Sequence, residues 1–132
     1  YLKHRESARL IAETRVEHFS NFYNFKYNSI NIRNQKSRWG SCSAKGNLNF
    51  NYKIALIPPH LADYVIVHEI CHLAELNHSP RFWSLVSQVC PEYKRCRKEL
   101  REKYGVKILT KEERKVYETR NCYQGTSNQK DC

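Results

Sequence analysis

The run Tyr64-Val65-Ile66-Val67-His68-Glu69-Ile70-Cys71-His72-Leu73, followed closely by Asn77-His78-Ser79-Pro80-Arg81-Phe82-Trp83, decides how this chain reads. Leu61, Tyr64, Val65, Val67 and Ile70 put apolar side chains around much of a helical circumference, so residues 60–76 are expected to form one central, mostly buried helix. Pro58-Pro59 opens it, because the fixed φ of proline suits a first helical turn. Asn77, which tolerates left-handed geometry, marks its end. Within it stands H-E-x-x-H. Residues four apart lie about 40° apart on the helical wheel and one turn apart along the axis, so His68 and His72 point the same way. Their imidazoles can reach one ion at about 2.0 to 2.1 Å, a ligand type and distance suited to zinc. Glu69 projects beside the ion, placed to take a proton from a metal-bound water.

A catalytic zinc takes three protein ligands and leaves a position open. His78, brought back by a turn at Leu76-Asn77, is the expected third; Glu75, and Glu92 or Glu99 from a later helix, compete for the role. With the His and Glu content of this chain, H-E-x-x-H arises in roughly 1 in 50 shuffled sequences, and about 1 in 1000 with the additional His at its offset. Two His and a Glu satisfied as core residues are the plainer alternative. Each buried polar group left without a partner costs about 1 to 3 kcal/mol, so three on one apolar helix call for a compensating reason, which a metal supplies.

Downstream, Ser79-Pro80 provides an N-cap and first-turn proline for a helix carrying Phe82, Trp83, Leu85, Val86 and Val89. Pro91 opens another, reaching Gly105 with a stripe of Tyr93, Cys96, Leu100 and Tyr104. Upstream, Ala8, Ile11, Ala12, Arg15, Val16, Phe19 and Phe22 recur at three-to-four spacing, which predicts an amphipathic helix over residues 3–23. Ile30 and Ile32 alternate with polar residues in a short strand. After the turn Ser43-Ala44-Lys45-Gly46, residues 47–54 alternate strictly and form the clearest strand in the chain. Helix, strands and three further helices make an α+β domain with a small antiparallel sheet packed on the central helix. Residues 1–105 form that domain, and residues 106–132 a basic C-terminal extension, expected to be partly disordered, with a Thr110/Glu113 capping box and a short helix near residues 111–120.

The 132 residues carry 23 Lys and Arg against 13 Asp and Glu, enough apolar content to exclude global disorder, and no run long enough for a membrane span. The excess charge is uneven. Residues 18–57 hold six basic side chains and no acidic one, whereas residues 58–80 hold Asp63, Glu69 and Glu75 and no Lys or Arg. This suggests a cation site flanked by a surface that attracts anions. The six cysteines, Cys42, Cys71, Cys90, Cys96, Cys122 and Cys132, form no C-x-x-C pair, and the N-terminus has no apolar signal core. Reduced thiols and a cytoplasmic setting follow as expectations.

The segments Arg38-Trp39-Gly40-Ser41-Cys42-Ser43, the alternating strand, Pro58-Pro59, V-I-V-H-E-I-C-H-L and N-H-S-P-R-F-W together resemble the YgjP-like metallopeptidase family, related to the SprT-like and WLM zinc-peptidase groups. The likeness runs from about the first helix to Tyr104. It implies a zincin-like fold, His68, His72 and His78 as ligands of one Zn2+ ion, and Glu69 as general base. It also carries a second chemistry, metal-dependent hydrolysis of nucleoside triphosphates by a nucleotide pyrophosphatase.

Zinc-dependent hydrolysis of peptide or protein substrates is the principal expectation, with residues 48–54 offering a strand edge to an extended peptide. In the pyrophosphatase alternative, Arg33, Lys36 and Arg38 hold phosphate oxygens and Trp39 stacks on a base, although phosphoryl chemistry more often recruits oxygen-rich magnesium sites. The plainer reading of that run is a structural turn, with Gly40 permitting a tight bend and Trp39 packing in the core. A third alternative is a basic nucleic-acid-binding protein whose zinc is structural, with Cys42 as the fourth ligand. Oligomeric state is not legible in the sequence.

Overall fold

The computed structural model describes residues 2–36 and 38–104. In chain order these form α1 (Leu2–Tyr23), β1 (Ser29–Arg33), β2 (Gly40–Cys42), β3 (Asn47–Asn51), a 3₁₀ turn (Tyr52–Leu56), α2 (Pro59–Cys71), α3 (Pro80–Val89), α4 (Tyr93–Glu99) and a π turn (Leu100–Tyr104). No described helix is long and apolar enough to cross a membrane. The capping box at Thr110 and the C-terminal extension lie outside the described residues.

The periodicity of α1 buries Ala8, Ala12, Val16 and Phe19. Phe22, expected on the same stripe, is 58% exposed. Asn24 adopts φ 59°, and the Phe25 amide donates to the Ser20 carbonyl at 3.0 Å, closing the helix with a left-handed residue. Tyr23 turns inward instead, its hydroxyl donating to the Leu85 carbonyl at 2.5 Å. Arg15 joins α1 to α2 through two hydrogen bonds to Asp63, at 2.9 and 3.1 Å.

The sheet is mixed, where an antiparallel one was expected. Its order is β1-β3-β2, with β1 parallel to β3 (Ser29 opposite Asn47) and β2 antiparallel to β3 (Gly40 opposite Phe50). The turn after Cys42, with Gly46 at φ 85° and its amide donating to the Ser43 carbonyl at 2.9 Å, folds β3 back between the other two strands. It therefore runs parallel to β1. Leu48 and Phe50 enter the core as the alternation requires.

The expected strand over residues 47–54 stops at Asn51. That side chain is wholly buried; its Oδ1 accepts from the Lys53 amide at 3.0 Å, and its Nδ2 donates to the carbonyls of Gln35 at 2.6 Å and Arg38 at 3.1 Å. Local capping of this kind competes with the strand ladder and turns residues 52–56 into a 3₁₀ helix.

Helix α2 starts at the expected prolines but ends at Cys71, not near residue 76. The amides of Leu73 and Ala74 donate to the carbonyls of Ile70 and Cys71, three residues back, at 2.9 and 3.2 Å, tightening the last turn. Ser79 caps α3, its hydroxyl accepting from the Phe82 amide at 3.2 Å, and α3 buries Phe82, Trp83 and Val86. The helix expected from Pro91 to Gly105 begins at Tyr93 and widens after Glu99 into the π turn. Within α4, Arg97 is buried, its guanidinium carbon 4.6 Å from the Trp83 ring centre.

Candidate active site

The i, i+4 spacing on α2 and the tight turn after it bring His68, His72 and His78 to one point. Their nearest ring nitrogens all lie within 4.8 Å of one another. The Nε2 atoms of His72 and His78 stand 3.2 and 3.1 Å from that of His68. Tetrahedral coordination at about 2.05 Å per ligand separates neighbouring nitrogens by about 3.3 Å, so the donor set fits a zinc ion in both type and spacing. Burial holds His68 well below its ordinary pKa, with the positive charges of His78, His72 and Arg97 acting the same way. His72 is also lowered by burial, against the raising effect of its backbone hydrogen bonds to Glu75 and Leu76. Neutral imidazoles are the form that binds metal.

Each ring is oriented from outside the cluster. The Nδ1–H of His72 donates to the Glu75 carbonyl at 3.0 Å, which leaves the Nε2 lone pair facing the common point. Tyr64, one turn before His68, sets its hydroxyl 3.4 Å from His68 Nδ1. From α3, Phe82 stacks on His72 with centroids 4.4 Å apart, and Trp83 on His78 at 5.8 Å. Tyr93 stacks on Trp83 at 4.7 Å. Packing of this kind restricts the rotamers of the three imidazoles.

The competing carboxylates are engaged elsewhere. Glu92 pairs with Arg95 at 3.3 Å, and Glu99 with His60 at 3.2 Å and Lys103 at 3.7 Å. Glu75 contributes its carbonyl, not its carboxylate, to His72. Cys42 is absent from the cluster among the described residues.

Glu69 is 6% exposed and lies against β2. A Cβ placed on Gly40 comes within 3.1 Å of Glu69 Cγ, 3.2 Å of its Oε2 and 2.9 Å of the Asn49 carbonyl oxygen. Gly40 is therefore an extended strand residue that admits the carboxylate, not the tight bend expected from the sequence. Burial pushes the Glu69 carboxyl up to about 8, and Arg38 pulls in the opposite direction. Burial also raises Cys42, to about 11, with the Glu69 charge adding to it.

Of the basic run, Arg38 is exposed and acts on Glu69 through its charge. Trp39 is half-buried against the core, and its carbonyl accepts from the Asn51 amide at 2.8 Å. Arg33 is exposed at the end of β1, its Nε donating to Asn49 Oδ1 at 3.4 Å, and Lys36 is exposed in the following loop. The strand edge anticipated at residues 48–54 is also corrected: β3 is the central strand and both its edges are occupied, whereas β2 keeps one side open among the described residues.

Gly40, Asn51, Tyr64 and Arg97 were not singled out as site residues from the sequence. Gly40 did stand inside the Arg-Trp-Gly-Ser-Cys run, which was its one signal. Arg97 carried none, since a lone arginine on a charged helix looks solvated.

No curated protein sequence matches the chain. Among solved structures it is similar to the metallopeptidase zymogen abylysin of Pyrococcus abyssi, with a TM-score of 0.65 and 23% identity, over 70% of this chain and 94% of that one. At that identity the likeness speaks for the fold. The family model for the YgjP-like metallopeptidase domain matches residues 3–103, the span that holds the helix, the three histidines and the open strand, and the chain belongs to that family.

Proposed function

We propose that this metallopeptidase-family chain hydrolyses peptide bonds with one zinc ion held by His68, His72 and His78 and with Glu69 as general base. The convergence of three imidazole nitrogens, with the buried Glu69 next to His68 in the chain, carries the reading. A zinc ion bound there supplies Lewis acidity, which activates water near neutral pH and polarises the scissile carbonyl. Glu69 accepts the proton of the attacking water and passes it to the leaving amine. Arg38 opposes the effect of burial on that carboxyl, favouring the ionised form a base requires.

The open edge of β2 supplies a place for substrate. Trp39 O and Ser43 N are bonded to β3, so by alternation the backbone groups of Gly40 and Cys42 face away from it. An extended peptide pairing there brings its carbonyl alongside Glu69. A reducing, cytoplasmic setting belongs to the same proposal, supported by the free thiols of Cys42, Cys71, Cys90 and Cys96.

Glu69→Gln tests the reading: zinc content stays at wild-type level while hydrolysis of unstructured protein falls by about 10² to 10⁴. Wild-type activity in that variant overturns the general-base role. Offering zinc-loaded protein an unstructured polypeptide, protein with DNA, and nucleoside triphosphates side by side separates the peptidase from the pyrophosphatase reading, which fails if only polypeptide is consumed.

A further inference from the structure

A cavity of about 300 Å³ opens between the β2–β3 turn and the chain leaving α2, with walls that include Lys26, Ser43, Lys45, Gly46, His72 and Leu73. His72 belongs both to this cavity and to the histidine cluster. The open edge of β2 ends at Cys42 and leads into Ser43, and a Cβ placed on Gly46 stands 3.7 Å from Leu73 Cδ2, so the turn packs beside α2's end. Glu69 lies against Gly40, at the other end of β2. At about 3.3 Å per residue, a peptide following this edge from Glu69 reaches the cavity within two or three residues.

The chemistry of the walls has one sign. Lys26 and Lys45 bring two ammonium groups, and no Asp or Glu lines the cavity. Neither lysine has an acidic partner among the described residues. Glu75 is flanked in sequence by lining residues but turns its backbone carbonyl to His72, and its side chain is not part of the wall. The Ser43 hydroxyl accepts from the Asn47 amide at 3.1 Å and keeps its own proton to donate. Two cations and a hydroxyl donor match a carboxylate, and hydrogen bonds between charged partners are about twice as strong as neutral ones. We propose that this cavity is a substrate subsite that binds a carboxylate two or three residues from the scissile bond, either an Asp or Glu side chain or the substrate's own C-terminus. The proposal rests on the peptidase reading for its substrate.

The test uses the full zinc-loaded chain and matched quenched peptides carrying Asp or Glu, the isosteric Asn or Gln, or Lys at each position near the cleavage point, each with a free or amidated C-terminus. The acidic or free-acid member is cleaved with kcat/KM at least tenfold above its neutral isostere, and whether the side-chain exchange or the amidation removes the advantage identifies the source of the carboxylate. The double variant Lys26→Glu/Lys45→Glu inverts the ratio in favour of lysine peptides, while Lys26→Arg/Lys45→Arg preserves it. Equal cleavage of isosteres, or an acidic preference that survives charge reversal, overturns the subsite. If wild-type protein cleaves no peptide, the peptidase reading fails, and the subsite is judged by fluorescence anisotropy with zinc-loaded Glu69→Gln protein: tenfold tighter binding of the acidic peptides sustains it, and equal binding overturns it.

Discussion

The two walls of the site are assembled at different ranges along the chain. On the α2 wall, His68, Glu69 and His72 are placed by helical geometry alone, within little more than one turn. On the β2 wall, Gly40 meets Glu69 only because a three-residue edge strand, paired to β3, is laid across the helix. One wall carries the histidines and the carboxylate, and in the proposed peptidase the other offers space and an edge for substrate. Chemistry is thus encoded locally here, whereas access to it depends on the sheet.

The largest expected effect probes the α2 wall without substrate. In metal-free protein the folded pKa of Glu69, about 8, lies above its ordinary 4.5, so the folded state binds that proton more tightly than the unfolded state does. The stability contributed by this proton is complete below pH 4.5 and is lost as pH rises towards 8, a loss of a few kcal/mol at about 1.4 kcal/mol per pH unit. Metal-free Glu69→Gln should lack this slope and be the more stable protein at pH 8. Urea unfolding of both proteins across that range checks it, and parallel pH curves refute the burial of the carboxylate.

Next in size is the β2 wall. Gly40→Ala pushes a methyl group against the Asn49 carbonyl and the Glu69 side chain, and a displacement of about 1 Å at a reacting group costs on the order of 10² in rate. Turnover should fall by that factor while zinc content, measured by elemental analysis, is unchanged. Loss of zinc together with turnover would show that the two walls are not separable.

The smallest effect concerns what holds the β2 wall in place. Asn51→Ala removes the side chain that bonds Gln35, Arg38 and Lys53, leaving part-buried backbone groups without that partner and costing about 2 kcal/mol. Thermal unfolding measures the loss. A peptidase activity that also falls would mean that the loop carrying Arg38 must be pinned for the base to work, and unchanged activity would separate stability from catalysis.

How far each element was readable follows the same division. The helical periods of α1, α2 and α3, the Ser79 cap and the apolar face of β3 are short-range patterns, and they stand where the sequence put them. The ends were harder. Asn51 looked like one more polar member of an alternating strand, yet two of its three hydrogen bonds reach Gln35 and Arg38, whose proximity the strand pattern does not state. Phe22 fitted the helical stripe, but Tyr23 turns inward at the end of α1 and Phe22 is left exposed.

By itself, the order of residues determined the composition of the reactive wall: two histidines and a glutamate on one helix, with a third histidine after a short turn. Tertiary structure alone decided that His78 and not a carboxylate completes the cluster, that β3 is interior and β2 at an edge open among the described residues, and that Gly40 makes room for Glu69. The physical reason is range. Helical spacing is a property of consecutive residues, whereas strand order and the approach of a backbone to a side chain are settled only when distant segments pack against one another.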